Sequence, residues 1–110
     1  MRTNLLSIAI VNYNNRKELE KCLRSIHETK GSLELEIYVY DNNSTDGSRE
    51  MIRTSYPSVC LIRSSRNQGL TPGLNIIFKK ASGHHILILD SDTELNTNAL
   101  QNLSTFLLNS

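Results

Sequence analysis

The chain lacks the cysteine patterns of metal-binding and disulfide-rich proteins and the long apolar runs of membrane proteins. It contains only two cysteines, Cys22 and Cys60, and their wide separation matches no metal-binding spacing. Two such residues favour reduced thiols in a cytoplasmic protein over a disulfide framework. No apolar run approaches the roughly 20 residues of a membrane-spanning helix. The run at residues 5–11 is short and lacks a small-residue cleavage site, so it does not indicate a signal peptide.

The chain also lacks a large excess of positive or negative charge, and it lacks the standard phosphate-binding loops. The formal net charge is +1, and the twelve basic residues are spread along the chain. A nucleic-acid-binding stripe is therefore not expected. Neither GxxxxGKS/T nor GxGxxG occurs, so neither common phosphate-binding loop is present. A length of 110 residues fits one domain with a small core, and we expect residues 1–110 to form a single unit.

Short aliphatic runs alternate with amphipathic segments along the whole chain. The runs, which are typical of buried strands, lie at residues 6–11, 36–40, 59–62 and 85–89. The segments between them carry apolar residues at helical spacing, and in the first they are Leu19, Cys22, Leu23 and Ile26. This order predicts an α/β fold with a Rossmann-like, mostly parallel sheet and helices on both faces.

Two helix starts can be assigned from local sequence. Asn15 is expected to cap the first helix, with Glu18 three residues later completing a variant of the capping box. Thr71 and Pro72 are expected at the N-cap and first helical position of the third helix, because proline fits the first turn.

Polar residues follow three of the four predicted strands. Asn12 and Tyr13 come after the first, Asp41 ends the second, and Asp90 and Asp92 end the fourth. In an open parallel sheet, ligands bind outside the carboxyl ends of the strands, where the strand order reverses. These side chains are therefore predicted to lie around one site.

The two aspartates of the fourth strand suggest metal binding. Residues two apart on a strand point to the same face, so Asp90 and Asp92 would be neighbours if the extended conformation continued. Close carboxylates raise each other's pKa unless a cation intervenes. Oxygen ligands favour Mg2+ or Mn2+, which binds substrate phosphates while held by one or two carboxylates. Aspartates serving only as loop or cap residues would explain the pattern equally well.

Two other kinds of site, an aspartyl phosphatase and a calcium loop, fit the sequence poorly. A phosphatase with an aspartyl nucleophile is expected to have threonine or valine where this chain has Glu94. The stretch DNNSTDG suggests a calcium loop, but Asp46 stands where an EF-hand needs glycine and Ile52 where it needs glutamate.

Four segments, in this order, resemble the N-terminal half of the family 2 glycosyltransferases, which have the GT-A fold. The segments are SIAIVNYNNRKELEKCLRSI, IYVYDNNSTDGSREMI, RNQGLTPGLNIIFKKASG and HILILDSDTEL, and together they span nearly the whole chain. The resemblance implies that the strand ending in Asp90 lies beside the first strand. It also implies a parent enzyme that transfers a sugar from a nucleotide-diphosphate donor to an acceptor hydroxyl with inversion, assisted by Mg2+ or Mn2+.

The resemblance assigns roles to residues that bind the nucleoside. Asn12 and Tyr13 would line the nucleoside pocket. Asp41 would accept a hydrogen bond from the base, and a carboxylate suits the imide N–H of uracil or thymine, which favours a UDP- or dTDP-type donor. Asn67 and Gly69 match an N-x-G loop near the nucleotide, where glycine allows close approach of the backbone.

It also assigns roles at the diphosphate. Asp90 would contact the ribose side of the donor, and Asp92 would be the metal ligand that bridges to the diphosphate. The metal would neutralise the charge that develops on the leaving group.

The resemblance also implies parts that this sequence does not contain. Few residues follow Asp92, and none is a candidate for the general base that deprotonates the acceptor. We therefore expect a donor-binding fragment that lacks the acceptor half. Its last strand would leave an exposed sheet edge, through which the chain could self-associate.

Three functional hypotheses remain open at this point. The first is a bacterial glycosyltransferase of surface polysaccharide synthesis, cytoplasmic and peripheral at the inner membrane face. The second is a module that binds a nucleotide diphosphate without catalysis. The third is an unrelated flavodoxin-like domain, which would bind flavin or nothing at the same edge.

Overall fold

The computed structural model describes residues 2–31 and 33–108 and shows four strands alternating with four helices. In chain order they are β1 (Arg2–Asn12), α1 (Arg16–Thr29), β2 (Glu34–Asp41), α2 (Ser48–Ser55), β3 (Cys60–Arg63), α3 (Leu70–Lys80), β4 (Gly83–Asp90) and α4 (Ala99–Leu108). The predicted order of elements and the α/β class are confirmed. None of the described helices has the length and apolar character needed to cross a membrane.

The strands form one sheet in the order β3-β2-β1-β4. All three described pairings are parallel. The chain places β2 and β3 successively on one side of β1, and then crosses to the other side for β4. The strand order therefore reverses between β1 and β4, which is where this type of sheet binds ligands. The expected position of the aspartate-ending strand beside β1 is confirmed.

The two faces of the sheet bury alternate residues of the same strands. Leu6, Ile8 and Ile10 of β1 belong to a core formed with α1, α2 and α4. Ala9 and Val11, which point the other way, pack in a smaller cluster with α3. The helices thus cover both faces, as the sequence predicted.

Both predicted helix starts differ in detail. Asn15 occupies the N-cap position of α1 but makes no capping hydrogen bond with its side chain. Helix α3 begins at Leu70, one residue before the predicted cap Thr71. Gly69 precedes it with φ 85°, a conformation that side chains other than glycine rarely adopt, and this lets the chain enter the helix earlier.

One part of the sheet remains uncovered in the described structure. Strand β4 pairs with β1 alone, and α3 packs over β1 and β2. Ile86 and Ile88 of β4 are 38% and 49% exposed, and Phe78 of α3 is 42% exposed. The fold therefore has an open edge with an apolar face, as expected for the last strand.

Candidate functional site

A buried hydrogen-bond network joins the carboxyl ends of β1 and β2. Asp41 is fully buried and lies beside Asn12 in the strand pairing. Its Oδ1 accepts hydrogen bonds from Asn12 Nδ2 at 3.0 Å and from Ser44 Oγ at 2.6 Å. Its Oδ2 accepts from the Ser44 backbone N–H at 2.9 Å and from the Arg49 guanidinium at 3.0 Å. A carboxylate has about four acceptor positions, so these donors occupy them all.

This environment changes what Asp41 can do. The carboxylate holds together the loops after β1 and β2, and it forms an ion pair with Arg49, whose side chain is only 16% exposed. A base N–H could reach Asp41 only by replacing one of the four donors. The direct base contact implied by the resemblance stays a prediction, whereas the organising role is a property of the fold.

Asn12 has one polar atom that none of the described residues satisfies. Its Nδ2 donates to Asp41 and also to Ser44 Oγ at 3.3 Å, while its buried Oδ1 has no hydrogen-bond partner. Rotating the amide would turn the oxygen towards the Asp41 carboxylate, so the assignment is well defined. A buried acceptor without a donor costs about 1–3 kcal/mol. This oxygen can take an N–H or O–H donor from a ligand or a water.

The loop after β1 is tightly connected to the loop after β2. The Asn14 backbone N–H donates to Ser44 Oγ at 2.9 Å, and Asn14 Oδ1 accepts from the Thr45 N–H at 2.7 Å. Asn14 has φ 48°, a left-handed conformation that asparagine tolerates better than most residues. Between these anchored positions Tyr13 is 51% exposed, so its ring is free to contact a ligand.

A second loop is joined to this edge by Asn42, which sequence reasoning did not single out. Asn42 Nδ2 donates to the Gly69 carbonyl at 2.9 Å, and its Oδ1 accepts from the Gln68 N–H at 3.2 Å. Within the loop, Asn67 Oδ1 accepts from the Gly69 N–H at 2.9 Å. The structure therefore brings Asn67 and Gly69 beside the end of β2, whereas their contact with a nucleotide stays a prediction.

Strand β4 ends at Asp90, and the Thr93 N–H donates to the Asp90 carbonyl at 3.0 Å, which closes a turn. A shared face for Asp90 and Asp92 was expected only if the extended conformation continued, and that conformation stops at Asp90. Within β4, Asp90 continues the row of Ile88 on the α3 side. Burial and then the negative charge of Asp92 raise the pKa of the Cys22 thiol of α1 to about 11.

The turn is attached to the start of α1. Asn15 Nδ2 donates to Ser91 Oγ at 2.9 Å, so this side chain joins the turn after β4 and does not cap its own helix. Neither Asn15 nor Ser91 was predicted as a site residue. Their spacing of 76 residues leaves no local pattern from which the contact could be inferred.

The residues at this edge fit a metal only in part. Within residues 2–31 and 33–108, no three histidine, cysteine, aspartate or glutamate side chains come together as a metal site. Asp90 and Asp92 are both exposed where the strand order reverses. Their carboxylates are the hard oxygen donors that Mg2+ or Mn2+ takes while its other ligands come from phosphates and water.

Comparisons with known proteins agree with this geometry. An abequosyltransferase from Salmonella typhimurium is 36% identical over 108 residues, covering 94% of this chain and 32% of the relative. S. aureus TarS 1-349 in complex with UDP-GlcNAc matches with a TM-score of 0.81 at 25% identity, covering 94% of this chain and 31% of that one. The mannosyltransferase PcManGT from Pyrobaculum calidifontis in complex with GDP-Man and Mn2+ matches with a TM-score of 0.78, the same identity and the same coverage.

The chain spans about a third of the length of the curated relatives it matches. The similarity to these glycosyltransferases favours the glycosyltransferase hypothesis over the flavodoxin-like one. The family model described as glycosyl transferase family 2 matches residues 7–109. With its parallel GT-A sheet and its polar residues gathered at the point of strand reversal, this chain belongs to glycosyl transferase family 2.

Proposed function

We propose that residues 1–110 form the donor-binding domain of an inverting glycosyltransferase that is assisted by a metal. The observation that carries the proposal is the arrangement at the point of strand reversal. There Asn12 ends β1 and is hydrogen-bonded to the buried Asp41 of β2 on one side. The exposed carboxylate of Asp90 ends β4 on the other side of β1. The half that binds the acceptor and supplies the general base would belong to the rest of the parent protein.

The nucleoside would bind between the loop after β1 and the loop at residues 67–69. Tyr13 offers an exposed ring for the base or ribose, and Asn12 Oδ1 offers an acceptor without a donor. Asn67 and Gly69 would form the opposite wall, held in place by Asn42. Asp41 would act by fixing Asn12 and Ser44, or directly on the base if one of its donors is displaced.

The diphosphate would lie at the turn of residues 90–93. Asp92 would hold Mg2+ or Mn2+, and Asp90 would contact the ribose side of the donor. Asp90 ends strand β4 and Asp92 lies in the turn that follows, which supports separate roles for them. When bound, the metal would supply positive charge against the leaving diphosphate.

A UDP- or dTDP-sugar is the donor we favour. Uracil and thymine present one imide N–H, and the resemblance gives the Asp41 carboxylate as its acceptor, once one of the four donors on that carboxylate is displaced. TarS has been described with UDP-GlcNAc and PcManGT with GDP-Man, so related folds hold either kind of base.

Thermal unfolding with UDP, dTDP and GDP, each with Mn2+ or with EDTA, tests this proposal. A ligand at about 100 times its dissociation constant adds roughly 2.7 kcal/mol of stability, which raises the melting temperature by several degrees. We expect a metal-dependent rise with one nucleotide that Asp92→Asn abolishes and the matched control Glu94→Gln retains. The absence of a rise, both in this chain and in the full-length parent, would contradict the proposal.

A module that binds the nucleotide without transferring sugar is the second candidate. It is favoured for the isolated chain, because no general base was found in the sequence. Release of sugar from a labelled donor separates the two: we expect release by the full-length parent and none by this chain. Release by this chain alone would mean that it already holds a complete catalytic site.

We further propose that the parent is a cytoplasmic enzyme of bacterial surface polysaccharide synthesis, peripheral at the inner membrane face. Cys60 is an exposed free thiol, which fits a reducing compartment. Cell fractionation would test the location: the protein should be recovered with membranes at low salt and released at high salt.

We also propose that the open edge of β4 allows this chain to self-associate. An unpaired strand edge is a template for pairing with another strand. The exposed side chains of Ile86 and Ile88 would add apolar contact area to such a pairing.

A further inference from the structure

A basic groove lies between α1 and α2, on the sheet face opposite α3. Its volume is about 570 Å3. Glu20 and the largely buried Met51 line it. Four cationic side chains also line it: Arg16, Lys17, Lys21 and Arg24. All four cations belong to α1, between residues 16 and 24, and the packing of α2 against α1 adds Met51 and Ser55 to the lining.

Most of this positive charge is not neutralised within the protein. Arg24 forms an ion pair with Glu20, which also accepts a hydrogen bond from the Tyr56 hydroxyl. For the part of the chain that the structure describes, Arg16, Lys17 and Lys21 form no ion pair. The groove therefore presents a net positive potential to solvent.

The positions of these cations are unfavourable for the helix itself. Lys17 and Lys21 are four residues apart, a spacing at which like charges repel each other. Arg16 and Lys17 stand in the first turn of α1, where the helix dipole already disfavours positive charge. These unfavourable terms oppose the attraction within the Glu20–Arg24 pair, and an anionic partner would relieve them.

We propose that the groove docks the protein on an anionic lipid bilayer through the lipid phosphates. The cations extend along α1 from residue 16 to residue 24, about 12 Å at 1.5 Å per residue. All four are exposed and end in flexible chains. Such a row suits a layer of phosphates met at several points better than one phosphate held in fixed geometry.

Docking through the groove would also orient the site. Asn15, which precedes Arg16, holds Ser91 of the turn that carries Asp90 and Asp92. The start of α1 and this turn would therefore both lie close to the lipid headgroups. The inference builds on the membrane location proposed above but not on nucleotide binding, so the two can fail separately.

Co-sedimentation with vesicles tests the inference. We expect the 110-residue chain to bind vesicles of phosphatidylcholine with phosphatidylglycerol, and not vesicles of phosphatidylcholine alone. Each cation near an anionic surface is worth about 1 kcal/mol, or roughly fivefold in partitioning. Lys17→Gln/Lys21→Gln should therefore weaken binding about 25-fold. Raising salt from about 0.1 M to about 1 M shortens the screening length from about 10 Å to about 3 Å and should release the protein.

The matched control is Lys79→Gln/Lys80→Gln at the end of α3, on the other sheet face. It removes the same charge, so equal loss of binding by both variants would overturn the inference, because net charge alone would then explain it. No binding to the anionic vesicles would also overturn it. So would binding of a soluble anion in the groove, which would appear as a rise in melting temperature with inorganic phosphate that Lys17→Gln/Lys21→Gln abolishes. The nucleotide-dependent shift should be unchanged in both variants.

Discussion

At the scale of single residues, the site is organised by a buried charge whose partners replace its lost hydration. A carboxylate away from water is costly unless it is paired and hydrogen-bonded. Asp41 meets both conditions through Arg49, Ser44 and Asn12. Because these donors come from three parts of the chain, Asp41 determines how the loops at the carboxyl edge sit relative to one another.

Replacing Asp41 should therefore destabilise the fold strongly. Asp41→Asn keeps the shape of the side chain but leaves Arg49 without its counter-charge, and breaking such a buried pair costs about 3–5 kcal/mol. Urea unfolding measures the loss. Asp41→Asn/Arg49→Met should recover part of it, since the uncompensated cation is then removed as well. A loss below about 1 kcal/mol for Asp41→Asn would contradict this account.

Cys22 should make stability depend on pH in the alkaline range. Burial, followed by the charge of Asp92, raises the pKa of its thiol from 9.0 to about 11. Between these values the folded state holds more protons than the unfolded state, so the free energy of unfolding should fall as pH rises from about 9 to about 11. Urea unfolding at several pH values measures this slope. Cys22→Ala should reduce it and Cys60→Ala should not, whereas an equal slope in all three proteins would exclude Cys22 as its source.

At the scale of elements, α3 lies unusually close to the sheet. A Cβ atom built on Gly73 would lie 2.6 Å from Cδ1 of Tyr40 in β2 and 3.1 Å from Cγ2 of Val11 in β1. This close approach brings Ile77 into contact with the smaller core. It also fixes where α3 begins, and hence where the loop at residues 67–69 stands.

Gly73→Ala should therefore be destabilising although alanine is the better helix former. The propensity gain is about 1 kcal/mol, while overpacking a tight contact costs typically about 1–3 kcal/mol. The control Asn75→Ala, at an exposed position of the same helix, should be neutral or slightly stabilising. Thermal unfolding compares the two variants. A higher melting temperature for Gly73→Ala than for the unaltered chain would contradict this prediction, because it would mean that the Tyr40 ring moves aside at little cost.

At the scale of the whole molecule, the sheet is protected unequally. Strand β1 is buried between two neighbours, and Ile8 on it is fully buried. Strand β4 has one neighbour, and Ile88 on it is half exposed. At β4 an open strand edge and an exposed apolar face thus coincide.

If that surface mediates self-association, charge placed on it should prevent it. Ile86→Lys/Ile88→Lys adds the residue that natural edge strands use to block pairing. We expect the unaltered chain to elute from size-exclusion chromatography as a dimer or larger species at high concentration, and the variant to elute as a monomer. A matched control that adds the same two charges at exposed positions in and just after α2, Thr54→Lys/Ser58→Lys, should leave the elution unchanged. A clean monomer for the unaltered chain would exclude self-association.

Local sequence patterns are sufficient to predict the class of fold and the edge where the polar residues gather. Alternating apolar runs and amphipathic segments are local patterns, and they were sufficient to predict a parallel sheet with helices on both faces. Asn12, Asp41 and Asp90 could be predicted at one edge, because the carboxyl ends of parallel strands lie together. The position of β4 beside β1 followed only from the family resemblance.

The contacts that those residues make depend on how distant segments pack together. The donors around Asp41, the contact of Asn15 with Ser91 and the clamp of Asn42 on residues 67–69 join segments far apart in the chain. The turn that follows Asp90 is likewise not predictable from the spacing of residues. The physical reason is that periodicity reports which face a residue takes on its own element, while its partners depend on how the elements pack.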